Sequence, residues 1–292
     1  MYMFFQQLIT GISVGGIYAL LATGYSLIYS LLDFSNWSHG EFAMVGAYIA
    51  IVFSTMLPFP FLVAAMIGVA GGALVSWLTE KVVYRRIRST GGPNMFLMIG
   101  AMGLSSVFQQ AANLIFTGQY RSYPFKLPVS TIKIAGAYIG VLDLISLIIT
   151  AIVLIFLMYI INKTQFGLNV RGIACNQWGA KILGVKVDSC ISKVFILAGC
   201  LAGVAGILYG AKYNVWPTMG NIGLKAFISS VLGGLGSVPG AILGAVLLGI
   251  IETLVSAYVS SSLRDFFSFA LLIVILLVKP SGLLGVDVQD KA

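Results

Sequence analysis

The chain has 292 residues, of which 59% are hydrophobic and 9% charged, with a formal net charge of +8. Soluble domains carry about 25% charged residues, so a globule folded in water is excluded and lipid is the solvent. In a soluble protein the positive excess would suggest nucleic acid. Here it lies mainly in loops, where it sets topology, and no nucleic-acid partner is expected.

Uncharged runs cover residues 6–32, 42–79, 89–120, 144–162, 194–211 and 226–251. A helix needs about 20 apolar residues to cross a hydrocarbon core about 30 Å thick, whereas barrel strands alternate apolar and polar residues. The fold class is therefore an all-α polytopic membrane protein with about eight or nine transmembrane or half-spanning helices. The first run has no basic region before Leu8 and is too long for a secretory leader, so it is expected to be the first span. Residues 42–79 suffice for two crossings, with Pro58 and Pro60 at the turn. Lys81, Arg85, Arg86 and Arg88 form one basic cluster, and the stretch 163–193 forms a second. Placing both in the cytoplasm puts the N-terminus and the loop 117–134 outside, although Arg121, Lys126 and Lys133 in that loop have no acid to balance them. Residues 222–235 form a short Gly-rich run interrupted by Gly236, Pro239 and Gly240, either a half-helix or a short full span. A cytoplasmic C-terminus is expected.

Many of the 34 glycines sit four apart: Gly11 and Gly15, Gly68 and Gly72, Gly199 and Gly203, Gly206 and Gly210, Gly240 and Gly244. Small residues at this spacing let helices approach closely in lipid, which predicts a compact bundle packed within the chain. A faint similarity between GGIYALLATGYSLIY, from 15, and AGCLAGVAGILYGAKY, from 198, is compatible with an inverted repeat. Cys175, Cys190 and Cys200 form no CxxC pair, and free thiols are expected.

The chain contains no GxxxxGK[ST], HExxH or GxSxG motif, and it has one histidine. It is not expected to bind nucleotide phosphates or a His-based metal, or to be an enzyme. Three constellations remain. In Asn36-Trp37-Ser38-His39-Gly40-Glu41, His39 and Glu41 belong to a gate or a subunit contact, or Ser38 and Glu41 form a capping box opening the next helix. In the basic loop, Ile173, Trp178, Ile182 and Val185 recur at helical spacing and predict a short helix ending at Gly184. That helix is either an ordinary surface element or a docking element whose small Ala180 lets it seat in a shallow cleft. In Gly233-Gly234-Leu235-Gly236, a broken helix either lines a substrate route or only serves packing. Glu252 is a lone acid in the run that follows, paired or facing a cavity.

In this order the stretches resemble the permease subunits of bacterial branched-chain amino-acid ABC importers, of the LivH type, over nearly the whole chain. The resemblance rests on Gly15 to Ala19 with Tyr25, Ser38-His39-Gly40-Glu41, then Glu80, Tyr84, Arg85 and Arg88. It continues through Phe166-Gly167, Arg171, Ala174, Asn176, Ala180 and Gly184. Lys225-Ala226-Phe227, Leu232-Gly233-Gly234, Gly236-Ser237, Pro239-Gly240-Ala241, Pro280, Gly282 and Gly285 complete it. It implies a single transmembrane permease domain over 1–292, an ABC-importer permease bundle with a cytoplasmic coupling loop at about 163–193. Arg171, Ala174, Asn176, Ala180 and Gly184 would then couple to the ATPase. His39, Glu41, Gly233, Gly234, Gly236 and Glu252 are the gate or pathway candidates.

The implied partners are a homologous second permease subunit, two cytoplasmic ATPase subunits, a periplasmic substrate-binding protein and the lipid bilayer of the bacterial inner membrane. ATP and magnesium would sit on the ATPases, with no cofactor in this chain. The family's tyrosine–arginine motif usually continues with proline where Arg86 stands, its His-Gly-Glu region has alanine after the phenylalanine where Ser35 follows Phe34, and Trp178 replaces a small or polar residue. Urea and short amides are the alternative solutes. A self-contained channel or secondary transporter is the rival from another class, with Asp143 and Glu252 as its candidate coupling carboxylates.

Overall fold

A computed structural model describes residues 2–56, 59–124, 131–134 and 137–285. Pro58 and Lys126 lie outside the described residues. The first half begins with α1 (Tyr2–Leu32) and α2 (His39–Thr55). Next is α3 (Phe61–Thr79), which continues through one π turn (Glu80–Tyr84) into α4 (Arg85–Ser89), and then α5 (Asn94–Phe116). A small antiparallel hairpin follows, β1 (Thr131–Ile134) and β2 (Ala137–Gly140), with Ile132 opposite Ile139. The hairpin was not legible in the sequence. After α6 (Val141–Lys163) come two short helices, α7 (Gln165–Cys175) and α8 (Gln177–Ile182). The second half holds α9 (Val187–Tyr213), α10 (Ile222–Gly233), α11 (Val238–Tyr258) and α12 (Arg264–Val278).

Among the described residues seven helices are long and apolar enough to cross a membrane. To these are added α2, with 17 residues, and α10, with 12. At 1.5 Å per residue α10 is about 18 Å long, too short to cross alone, so the half-helix reading of residues 222–235 holds. Gly234 and Gly236 end it with φ of +107° and +84°, values that favour glycine. Its last carbonyls are satisfied by the tail: Leu283 N–H donates to Leu232 and Leu284 N–H to Gly233, at 2.9 and 2.8 Å. Gly282 and Gly285 permit that approach, because a side chain on either would strike the backbone of Gly234 or Ser281. Ser237 then caps α11 by accepting the Gly240 N–H, with Pro239 in the first turn.

The chain folds as two halves of one plan. α1 packs along α11, and α9 packs along α3. α2 fills the space between α3 and α9, as α10 does between α11 and α1. Exchanging α1–α2–α3 with α9–α10–α11 maps each contact onto another. Leu32, at the end of α1, and Val187, at the start of α9, line the same cleft, so the equivalent helices run in opposite directions. This is an inverted repeat, and the faint match from 15 and from 198 falls on its equivalent helices. The glycine pairs serve it as expected. A Cβ on Gly15 would lie 2.7 Å from Val246 Cα, and one on Gly199 would lie 2.7 Å from Ala73 Cα. The remaining pairs also close against backbone or side chains of this chain. α5, α6 and α12 flank the bundle and turn Leu114, Ile155 and Leu277 outward.

The two basic clusters meet at one end of the bundle, as their placement on one side requires. Arg85 and Arg88 reach Asp188 at the start of α9. Cys175, Cys190 and Cys200 are free thiols.

Candidate functional site

The chain enters the bundle twice as irregular backbone. Residues 33–38 lead from the basic end to α2, and residues 214–221 lead from the opposite end to α10. The two short helices begin against each other, and a Cβ on Gly223 would lie 2.9 Å from Gly40 Cα. The positive ends of two helix dipoles meet at this junction. Glu41 sits there, buried, in the first turn of α2. Its Oε1 accepts from Ser105 Oγ at 2.9 Å and Gln109 Nε2 at 2.8 Å, both on α5. Its Oε2 lies against Gly220, where no side chain would fit, and has no hydrogen-bond donor among the described residues.

The capping box does not form. Ser38 has φ −80° and ψ −2°, helical rather than the extended values a capping serine needs. Its hydroxyl bonds Asn36 Oδ1 at 2.9 Å and Tyr84 OH at 2.8 Å. Glu41 turns to α5 instead. In a buried site these distant polar groups have no water to bond, and they outcompete the local pairing. Tyr84 OH also donates to Asn36 Oδ1, at 2.8 Å, which ties the first crossing to the end of α3. His39 is fully buried between the edges of Tyr25 and Phe42. The Leu21 carbonyl is its polar neighbour, yet neither ring nitrogen makes a well-formed hydrogen bond.

Glu252 is paired, one of the two expected outcomes. Lys225, in the first turn of α10, donates to its Oε1 at 2.5 Å and to Asp265 at 2.6 Å. Tyr18 OH on α1 donates to its Oε2 at 3.0 Å. Asp143 is likewise paired, with Lys212, and accepts from Thr10 at 3.2 Å. Both candidate coupling carboxylates are thus neutralised by lysines far away in sequence. Gly233, Gly234 and Gly236 lie at the far end of α10, against Gly240, Gly285 and Ser30, away from Glu41.

At the basic end Glu80, also buried, accepts from Arg88 at 2.9 Å and from Ser192 Oγ at 2.6 Å. Arg85 donates to Ser192 at 2.7 Å. This network fastens α3 to the start of α9. Beside it a cleft of about 770 Å³ runs from Leu32 past Asn94 to Trp178, Lys181 and Asp188.

The basic loop is two helices rather than one running from Ile173 to Gly184. Asn176 is extended, with φ −156°, and its Oδ1 accepts the Gly179 N–H at 2.8 Å. An asparagine cap competes with helix continuation here. α9 already begins at Val187, so the connection between membrane helices is 164–186. Gly184 closes α8 as expected, with φ +85°, and the Val185 N–H reaches the Ala180 carbonyl at 3.0 Å. Ala180 is buried within the chain. Arg171 binds the Ile161 carbonyl and so closes the end of α6. Ala174 is half-buried. What the loop offers outward is Trp178, Ile182 and Leu183, which are 73%, 64% and 85% exposed.

Sequence reasoning missed Lys225, Ser105 and Gln109 as partners of the two acids. Ser105 and Gln109, one turn apart in an apolar span, were the available signal.

The geometry defines a class: a multi-pass membrane protein built as an inverted repeat, with two broken helices meeting in its interior. The family model described as "Branched-chain amino acid transport system / permease component" matches residues 7–276, and the chain belongs to that family. It is 33% identical to the high-affinity branched-chain amino acid transport system permease protein BraD of Pseudomonas aeruginosa, covering 99% of this chain and 98% of that one. It is 34% identical to the corresponding protein LivH of Escherichia coli K12, covering 99% and 97%. The autoinducer 2 import system permease protein LsrC of Escherichia coli O9:H4 is 28% identical over 74% of this chain and 60% of its own length.

Proposed function

We propose that this chain is the permease subunit of an ATP-driven importer that carries branched-chain, hydrophobic amino acids into the cytoplasm across the bacterial inner membrane. The observation that carries the reading is the near full-length similarity to BraD and LivH, whose names state that substrate. A homologous second permease completes the pathway, a periplasmic binding protein delivers the amino acid, and two ATPase subunits hold ATP and magnesium. Coupling runs through the α7–α8 loop. Arg171, Asn176, Ala180 and Gly184 shape that loop, whereas Trp178, Ile182 and Leu183 are the side chains available to the ATPase. Exposed apolar side chains clustered on a loop outside the membrane spans favour such a contact.

The junction of α2 and α10, with Glu41 and His39, is the gate in this reading. Glu252 and the Gly233–Gly236 bend hold the second broken helix in place. The test is uptake of labelled leucine and labelled urea in cells lacking their own systems. The chain is co-expressed with its neighbouring permease, ATPases and binding protein, beside an ATPase-dead control. Leucine uptake that vanishes in the control is expected. Urea uptake alone changes the solute, and uptake indifferent to the dead ATPase overturns the importer.

A further inference from the structure

Arg121 is one of the loop charges for which topology gives no reason. It lies at the end of the bundle opposite the basic clusters. Its backbone is held there by two 2.8 Å hydrogen bonds with Val215. Among the described residues no carboxylate pairs with it, and its Nε is buried without an acceptor. Its guanidinium lies over the ring of Phe116, 5.3 Å from the centroid. The same ring is stacked on Tyr48 at 4.0 Å, with 10° between the planes.

Tyr48 is 2% exposed, and its hydroxyl has no partner among the described residues. Between α2 and α5, beside this stack, runs a groove of about 270 Å³. Met44, Val52, Phe108, Ala111 and Phe116 contribute to a wall that carries no charge. Drug-sized ligands occupy clefts of about 300–1,000 Å³, so this groove suits a smaller guest. A buried phenol and a buried guanidine nitrogen, both without partners, are unusual in a finished interior; Tyr48 lines the groove, and Arg121 lies over Phe116, which also lines it.

We infer that this groove is an entry subsite for an amino acid with an aliphatic side chain. Arg121 takes the carboxylate, the Tyr48 hydroxyl gives a second polar contact, and the α2–α5 wall receives the side chain. Guanidinium suits carboxylate because its donors form a planar fork, and an apolar wall with a few polar handles is how small-molecule sites fix orientation. α5 continues inward from Phe108 to Gln109 and Ser105, which hold Glu41. The groove and the partners of Glu41 thus share one helix, α5. The inference rests on the amino-acid importer reading for its choice of guest.

The test uses the complete importer in lipid nanodiscs and proteoliposomes, with labelled leucine and labelled alanine. Two quantities are measured: leucine bound directly to the permease complex, and ATP-driven uptake from saturated binding protein. Arg121→Gln is expected to lower both by about tenfold or more, with Arg121→Lys retaining more of each. Tyr48→Phe is expected to weaken binding severalfold. Ala111→Phe, which fills the groove, is expected to lower leucine far more than alanine.

Gel filtration and the basal ATPase rate show that each variant assembles. Wild-type binding and an unchanged leucine-to-alanine ratio in Arg121→Gln and Ala111→Phe overturn the inference. So does an equal fall for both solutes that follows the lipid composition, which assigns the groove to an acyl chain. If wild-type uptake is indifferent to ATP but leucine still binds and is lost in Arg121→Gln, the importer reading fails and the subsite stands.

Discussion

The two halves of the molecule share a backbone plan and differ in the charge placed at the same point of it. In the first half the broken helix α2 carries Glu41 in its opening turn, bonded to α5 through Ser105 and Gln109. In the second half α10 carries Lys225 in its opening turn, bonded to α12 through Asp265 and Ser268. The lysine is closed off by a buried carboxylate, Glu252, and the acid has neutral partners and one orphan oxygen. A helix start favours an anion and disfavours a cation. Lys225 therefore needs its acids, while Glu41 is served by the helix starts around it. One half is chemically finished and the other is left open, which is where a moving or ligand-responsive junction is expected.

Breaking the closed side should cost most. Lys225→Met leaves Glu252 buried and unpaired, and about 3–5 kcal/mol of stability is expected to go, read as a lower thermal midpoint in detergent. The double variant Lys225→Met with Glu252→Leu should recover much of it, because similar-sized apolar residues often replace a buried pair without loss. If the double variant is as unstable as the single one, the pair is more than a structural fastening.

The contact between halves comes next. Gly15→Leu pushes side-chain atoms into the Val246 backbone and should cost about 1–3 kcal/mol or more. Gly199→Leu, its counterpart between α9 and α3, should cost a similar amount if the repeat is symmetric in energy as in shape. Unequal losses in the same melting assay would show that one half carries the fold.

The open side should separate function from stability. Glu41→Ala strands the Ser105 and Gln109 donors and should cost about 1–3 kcal/mol. Glu41→Gln keeps an acceptor and should melt near the wild type, yet lower uptake. Normal uptake in Glu41→Gln would make Glu41 a packing residue like its opposite number. His39→Ala should act likewise, and its buried ring makes cavity formation the competing cause, so the smaller His39→Gln is the cleaner comparison.

Smallest in stability and large in function is the loop. Leu183→Asp, at an exposed site, should change stability by no more than about 0.5 kcal/mol while ATP-driven uptake falls. Ala180→Ser should do little to docking, because that side chain faces inward. Loss of uptake in Ala180→Ser with Leu183→Asp unaffected would reverse the assignment of the outward face.

Much of this was written along the chain, since each signal was local. Apolar runs longer than a bilayer is thick give the spans. Glycines four apart allow close packing, and in the structure those pairs close within the chain. Gly234 and Gly236 end α10 because few other residues adopt their φ. The family followed from the ordered set of short stretches. Tertiary structure alone decided the partners. Glu252 found Lys225, Asp143 found Lys212, and Glu41 abandoned Ser38 for α5, because a buried polar group bonds whatever donor or acceptor packing brings to it, however far away in sequence. The same holds for the loop. Helical spacing suggested one helix, but an asparagine cap broke it, and packing left Ala180 inside and Leu183 out. Period and composition are properties of a segment, whereas the face a segment shows and the charge it meets are properties of the whole bundle.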